Sequence, residues 1–125
     1  MIHLDTNFLV DLVTAGSSGG LKIHQWLKAG KSVTTSAVAW SEFCNGPLTK
    51  AQKDAAFAVL NRTITDFTWR EAEEAARLFN LRGRRRGSHT DCMVAATAIL
   101  AGSRLATCNT ADFKRLVPLG LMLEG

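Results

Sequence analysis

The sequence predicts an α/β fold: a mainly parallel, five-stranded sheet lying between helices in three layers. Three observations carry that expectation. Short β-type runs alternate with longer runs of helical periodicity, glycines stand at the junctions, and one helix, Ser88 to Ala101, is apolar around nearly its whole circumference, as a helix buried against a sheet must be. Strands separated by helical crossovers run parallel. At 125 residues, 46% of them hydrophobic and 21% charged, the chain has the size and apolar content of a single domain spanning residues 1–125, and a disordered or low-complexity chain is excluded.

The elements follow in order. Ile2 to Leu4 reads as a short strand ending at Asp5, and Phe8, Leu9, Leu12 and Val13 then recur at helical spacing. After the flexible stretch Gly16 to Gly20, Ile23, Trp26 and Leu27 mark one face of a helix that Gly30 closes in the left-handed conformation. Ser32 to Thr35 is the second strand. Ser36 caps a helix carrying Val38, Trp40, Glu42 and Phe43, which Gly46-Pro47 stops because proline cannot extend the hydrogen-bond ladder. Thr49 with Gln52, and Thr68 with Glu71, match capping boxes for helices at about 49–61 and 68–82, with Thr63 to Phe67 between them as strand three. Gly102 ends the apolar helix. Arg104 to Thr107 is strand four, Ala111 to Leu116 a short helix, and the alternating Leu119, Leu121 and Leu123 the final strand.

Composition narrows the setting. Cys44, Cys92 and Cys108 are odd in number and form no CxxC pair, which excludes a disulfide framework and a zinc cage; Cys92 and Cys108 read as small buried packing groups in a reducing compartment. No apolar run approaches the ~18 residues of a membrane span, and His3, Asp5 and Asp11 interrupt any leader-like segment, so a cytoplasmic protein is expected. The net charge of +4 is concentrated in part at Arg82, Arg84, Arg85 and Arg86.

Ligands of open parallel sheets bind beyond the carboxyl ends of the strands. The polar residues there are Asp5, Ser36, Asp66 and Asn109, with Glu42 about two turns into the helix after strand two and Asp91 in the first turn of the apolar helix. Each carboxylate has an ordinary use: Asp5 can cap its helix, Asp91 can complete a Ser88-x-x-Asp91 capping box, and Glu42 can simply face solvent. Taken together, three converging carboxylates repel one another unless a divalent cation neutralises them, and hard oxygen donors select Mg²⁺ or Mn²⁺. Such a site suits phosphate chemistry.

Four segments in this order, Ile2-His3-Leu4-Asp5-Thr6-Asn7, Ser36-Ala37-Val38-Ala39-Trp40-Ser41-Glu42, Asp91-Cys92-Met93-Val94-Ala95-Ala96-Thr97-Ala98 and Leu105-Ala106-Thr107-Cys108-Asn109-Thr110-Ala111-Asp112-Phe113, resemble the PIN domain over essentially the whole chain. Within that family they resemble the VapC-type toxins of prokaryotic toxin-antitoxin modules. The resemblance implies a three-layer, Rossmann-like PIN fold and a metal-dependent endoribonuclease. It assigns Asp5, Glu42 and Asp91 to Mg²⁺ or Mn²⁺, and places Thr6, Asn7 and Thr107 in the lining of the site. Where Asn109 stands the family often has an acidic residue, although asparagine occurs there too; Asp112 is the nearest carboxylate able to substitute. Also implied are a homodimer and a small antitoxin protein that blocks the site, often with a basic residue among the carboxylates.

The Arg84-Arg85-Arg86 run lies shortly before Asp91, where an RNA backbone would pass, and is expected to contact phosphates. His3, on a strand, and His89, in a helix's first turn, are expected to be structural. Trp26, Trp40 and Trp69 sit at apolar helical spacing and suit core or dimer packing. Two rivals remain at this stage. A phosphoacceptor receiver domain would use Asp5, Asp66, Thr107 and Lys114, and phosphorylation by a small phosphodonor would reveal it; a non-catalytic RNA-binding module would bind RNA without cleaving it.

Overall fold

In the computed structural model, which describes residues 1–83 and 88–124, four short strands form one parallel sheet flanked by helices. The strands are β1 (Ile2–Leu4), β2 (Val33–Thr35), β3 (Arg104–Ala106) and β4 (Met122–Leu123), in the order β2-β1-β3-β4. The helices are α1 (Thr6–Leu12), α2 (Ser18–Lys28), α3 (Ala37–Cys44), α4 (Lys50–Val59), α5 (Trp69–Leu78), α6 (Ser88–Leu100) and α7 (Thr110–Lys114). Leu4 lies opposite both Thr35 and Ala106, so β1, β2 and β3 end level with one another. Asp5, Ser36 and Thr107 therefore emerge side by side at one sheet edge.

The caps read from the sequence form as expected. Thr49 and Gln52, then Thr68 and Glu71, make reciprocal capping boxes, and Ser36 Oγ accepts from the Ala39 N–H at 3.0 Å. Gly30, at φ +84°, follows the last turn of α2 in the left-handed region. α5 gives way to a π-helical turn over Phe79–Gly83. α6 is buried from Val94 through Ala98 and packs against α5, α3 and β3. Among the described residues, no helix is long and apolar enough to cross a membrane.

Two expected strands shrink, giving four strands where five were expected. Thr63 to Phe67 makes only a parallel bridge, Thr65 to Ser36, through Thr65 N–H to the Thr35 carbonyl and Ala37 N–H to the Thr65 carbonyl, both at 2.9 Å. Its partner runs out: β2 ends at Thr35 and α3 begins at Ala37. The last strand keeps only Met122–Leu123, because Pro118 and Gly120 build a 3₁₀ turn over Val117–Leu119 that Gly120 closes at φ +120°. Cys108 is exposed, contrary to expectation, since it lies in the loop after β3 and not in the strand; Cys92 is buried as expected.

The core contains Leu4, Leu9, Ile23, Leu60, Leu78, Leu105, Phe113 and Leu116. A polar seam also crosses it. His3, 1% exposed, bonds through Nε2 to Thr65 Oγ1 at 2.9 Å, and Thr34 Oγ1 donates to the Thr63 carbonyl at 2.8 Å, tying the bridging segment to the sheet where backbone pairing stops. Trp40 packs on Phe43 and Phe57, and Trp26 on Phe8; Trp69 stands exposed with Arg70 over its ring.

Candidate functional site

Asp5 is the pivot of the edge. Its backbone N–H donates to the Ala106 carbonyl at 2.9 Å, continuing the sheet register one residue beyond β1, while its side chain turns to the start of α1. Oδ1 accepts the Thr6 N–H at 2.8 Å and Oδ2 accepts the Thr107 hydroxyl at 2.7 Å. Thr107 Oγ1 in turn accepts the Asn109 N–H at 3.0 Å, so its proton is committed toward Asp5. Burial raises the Asp5 carboxyl above the usual range, and the two hydrogen bonds from Thr107 and Thr6 partly oppose the rise. The cap reading of Asp5 and its site reading are thus both satisfied by one geometry.

Glu42 comes from the exposed face of α3 and is joined to the same edge: the Thr6 hydroxyl donates to its Oε1 at 2.9 Å. Asn7 Oδ1 accepts the Cys108 N–H at 3.3 Å, stitching α1 to the loop after β3. Asp91, in the first turn of α6, is partly buried, and its carboxyl is pushed up to about 6. Desolvation is the largest cause, and like charge from Asp5, Asp112 and Glu42 adds to it, while among the described residues Arg115 opposes. The charges of three other carboxylates consequently bear on Asp91 at this edge.

Among the described residues no three His, Cys, Asp or Glu side chains stand close enough to form a finished metal cage. In kind, however, the donor set fits a hard divalent cation, since it consists of carboxylate and hydroxyl oxygens, and among the described residues Arg115 is the one cation set against the like charge that acts on Asp91. Asp112 takes part in that repulsion. Asn109 is exposed at the start of α7 and its side chain makes no capping bond. Arg84, Arg85 and Arg86 lie outside the described residues. Asp66 and Lys114, which a receiver reading would pair with Asp5, are both exposed. The sequence reading passed over Arg115; its signal was its place three residues after Asp112, on the same face of a short helix.

The family model of the PIN domain matches residues 2–117. The chain belongs to the PIN-domain family. This PIN domain shares its fold with the structure of VapBC2 from Rickettsia felis bound to a promoter DNA fragment, at 22% identity and a TM-score of 0.74, covering 99% of this chain and 98% of that one. FitAcB from Neisseria gonorrhoeae is similar at 20% identity and TM-score 0.76, covering 100% and 97%. VapC20 from Mycobacterium tuberculosis, described as a toxin that cleaves the sarcin-ricin loop, is similar at 20% identity and TM-score 0.63, covering 91% and 94%. No curated protein matches the sequence. The PIN fold expected from the sequence is therefore present, with one strand fewer.

Proposed function

We propose that this PIN domain is a metal-dependent endoribonuclease, the toxin half of a toxin-antitoxin pair. The observation that carries the reading is the charge trapped at the sheet edge: Asp91 is raised to about 6 in part by Asp5, Asp112 and Glu42, an arrangement that costs stability and makes sense as a site awaiting a cation. Membership of the PIN family supports the chemistry, and the likeness to VapBC and FitAcB structures supports the toxin-antitoxin setting.

Asp5, Glu42 and Asp91 would hold Mg²⁺ or Mn²⁺, with Asp112 rather than Asn109 as the fourth oxygen. A divalent cation bound there supplies Lewis-acid polarisation of the scissile phosphodiester and activation of water at neutral pH. The chain's own contribution is orientation. The Asn109 N–H and the Thr107 hydroxyl form a relay that fixes one oxygen of Asp5, the Thr6 N–H fixes the other, and the Thr6 hydroxyl holds Glu42 toward the same edge. Arg84, Arg85 and Arg86 would bind the RNA backbone. The protein would act as a homodimer in the cytoplasm, restrained by an antitoxin protein that covers the acidic edge.

The deciding experiment incubates purified protein with a mixed RNA pool, with and without Mn²⁺, and maps the new ends. Discrete cleavage that depends on Mn²⁺, is abolished by Asp5→Asn and Asp112→Asn, and is unchanged by Asn109→Asp is expected. RNA binding without cleavage at any Mn²⁺ concentration would establish the non-catalytic module instead.

A further inference from the structure

Arg115 has no part in the scheme above, yet its surroundings are unusual for a cation. It caps the C-terminus of α7. One edge of its guanidinium is anchored, Nη1 donating to the Asp112 carbonyl at 2.5 Å. The other edge is not: Nε and Nη2 are both closed off from solvent and have no hydrogen-bond partner among the described residues. These two nitrogens lie side by side, with parallel N–H bonds, and form the fork that takes both oxygens of a carboxylate at once. A buried ionised donor without an acceptor is costly, so an unfilled fork implies a second arrangement in which it is filled.

The neighbours identify the acceptor. α7 packs against α6, and the charge of Arg115 acts on Asp91 and on the adjacent Cys92. Among the described residues it is the one cation set against the repulsion that Asp5, Asp112 and Glu42 exert on Asp91. A phosphate is the other two-oxygen anion of suitable shape, but the fork is shut away from solvent, which favours an acceptor from within the chain.

We propose that Arg115 is a resident counter-ion of the acidic edge: a turn of the Asp91 side chain closes a two-oxygen pair on the Nε–Nη2 fork, and this pair competes with a divalent cation for Asp91. Loading the site then exchanges one positive partner of Asp91 for another, so Asp91 faces a cation in both states. Arg115 is a positioning residue, acting through Asp91, and the inference rests on the reading of these carboxylates as cation ligands.

Calorimetric titration with Mn²⁺ alone, without RNA, tests it on the whole chain. Arg115→Gln should bind Mn²⁺ several-fold to about tenfold more tightly than wild type, because a charge opposing the cation is gone; Arg115→Lys, which keeps the charge and loses the fork, should fall between them. Equal or weaker affinity in Arg115→Gln, with binding still abolished by Asp5→Asn, overturns the counter-ion and leaves the metal reading standing. A wild type that takes up no Mn²⁺ overturns both. A measurement on the unaltered protein covers the case of a variant that does not fold: the Arg115 Nε–H resonance should shift and exchange faster with water as Mg²⁺ is added. A resonance that ignores Mg²⁺ overturns the proposal, and one that moves only on addition of single-stranded RNA assigns the fork to phosphate and overturns its pairing with Asp91.

Discussion

Asp5 holds a buried carboxylate with two donors, and the donors differ in kind. The Thr6 N–H belongs to the helix start and survives any side-chain change, whereas the Thr107 hydroxyl can be removed by Thr107→Val at nearly constant volume. That variant leaves Asp5 Oδ2 and the Asn109 N–H each short of a partner, so it should cost about 1–3 kcal/mol at neutral pH. It should also raise the Asp5 carboxyl further and weaken Mn²⁺ binding. Chemical denaturation beside a Mn²⁺ titration checks both; a Thr107→Val protein equal to wild type in each would remove Thr107 from the site. The carboxylates were legible in the sequence because strand ends of a parallel sheet converge and short polar residues there stand out. The Thr6 to Glu42 bond and the orphan edge of Arg115 were not, since both depend on side-chain directions that spacing does not encode.

At the scale of elements, helices were read better than strands, and the reason is local. Capping boxes at Thr49 and Thr68 are complete within four residues, so the sequence carries the whole signal. A strand is defined by its partner: Thr63 to Phe67 has β-type composition, but α3 starts before more than one residue can pair. The turn leading into that segment is strained. Asn61 and Arg62 both lie at φ 55°, a left-handed pair without glycine. Asparagine tolerates this region and arginine does not, at a cost of roughly 1–2 kcal/mol that glycine avoids while adding some chain entropy. Arg62→Gly should therefore stabilise the protein by about 0.5–1 kcal/mol, raising its thermal midpoint by a few degrees. A lower midpoint would mean that contacts of the Arg62 side chain outweigh its backbone strain.

Across the whole molecule, parallel topology gathers the ends of β1, β2 and β3 at one edge and also threads a polar seam through the core, and the two features impose opposite dependences on pH. Asp91, with its carboxyl at about 6 against an ordinary 3.8, keeps a proton in the folded chain that the unfolded chain releases, so its contribution falls as pH rises from about 4 to 6; the raised carboxyl of Asp5 adds the same sign. His3 is driven down to about 4 from 6.5, chiefly by burial and secondly by the N-terminal charge. The unfolded chain therefore binds a proton that the folded chain refuses, and stability is fully present above about pH 6.5 and lost as pH falls toward 4. His3 is 1% exposed, which makes its effect of order 3 kcal/mol, whereas partial exposure of Asp91 screens its effect to about 1 kcal/mol. Without added metal, wild-type stability should thus rise modestly between pH 4 and 6.5. Asp91→Asn should rise more steeply and exceed wild type at pH 7, and His3→Gln, though less stable throughout, should decline over the same interval. Denaturant midpoints taken at half-unit steps of pH decide between the terms: superimposable slopes for wild type and Asp91→Asn would mean that the acidic edge carries no trapped charge, and with it would go the argument that the edge is built to receive a cation.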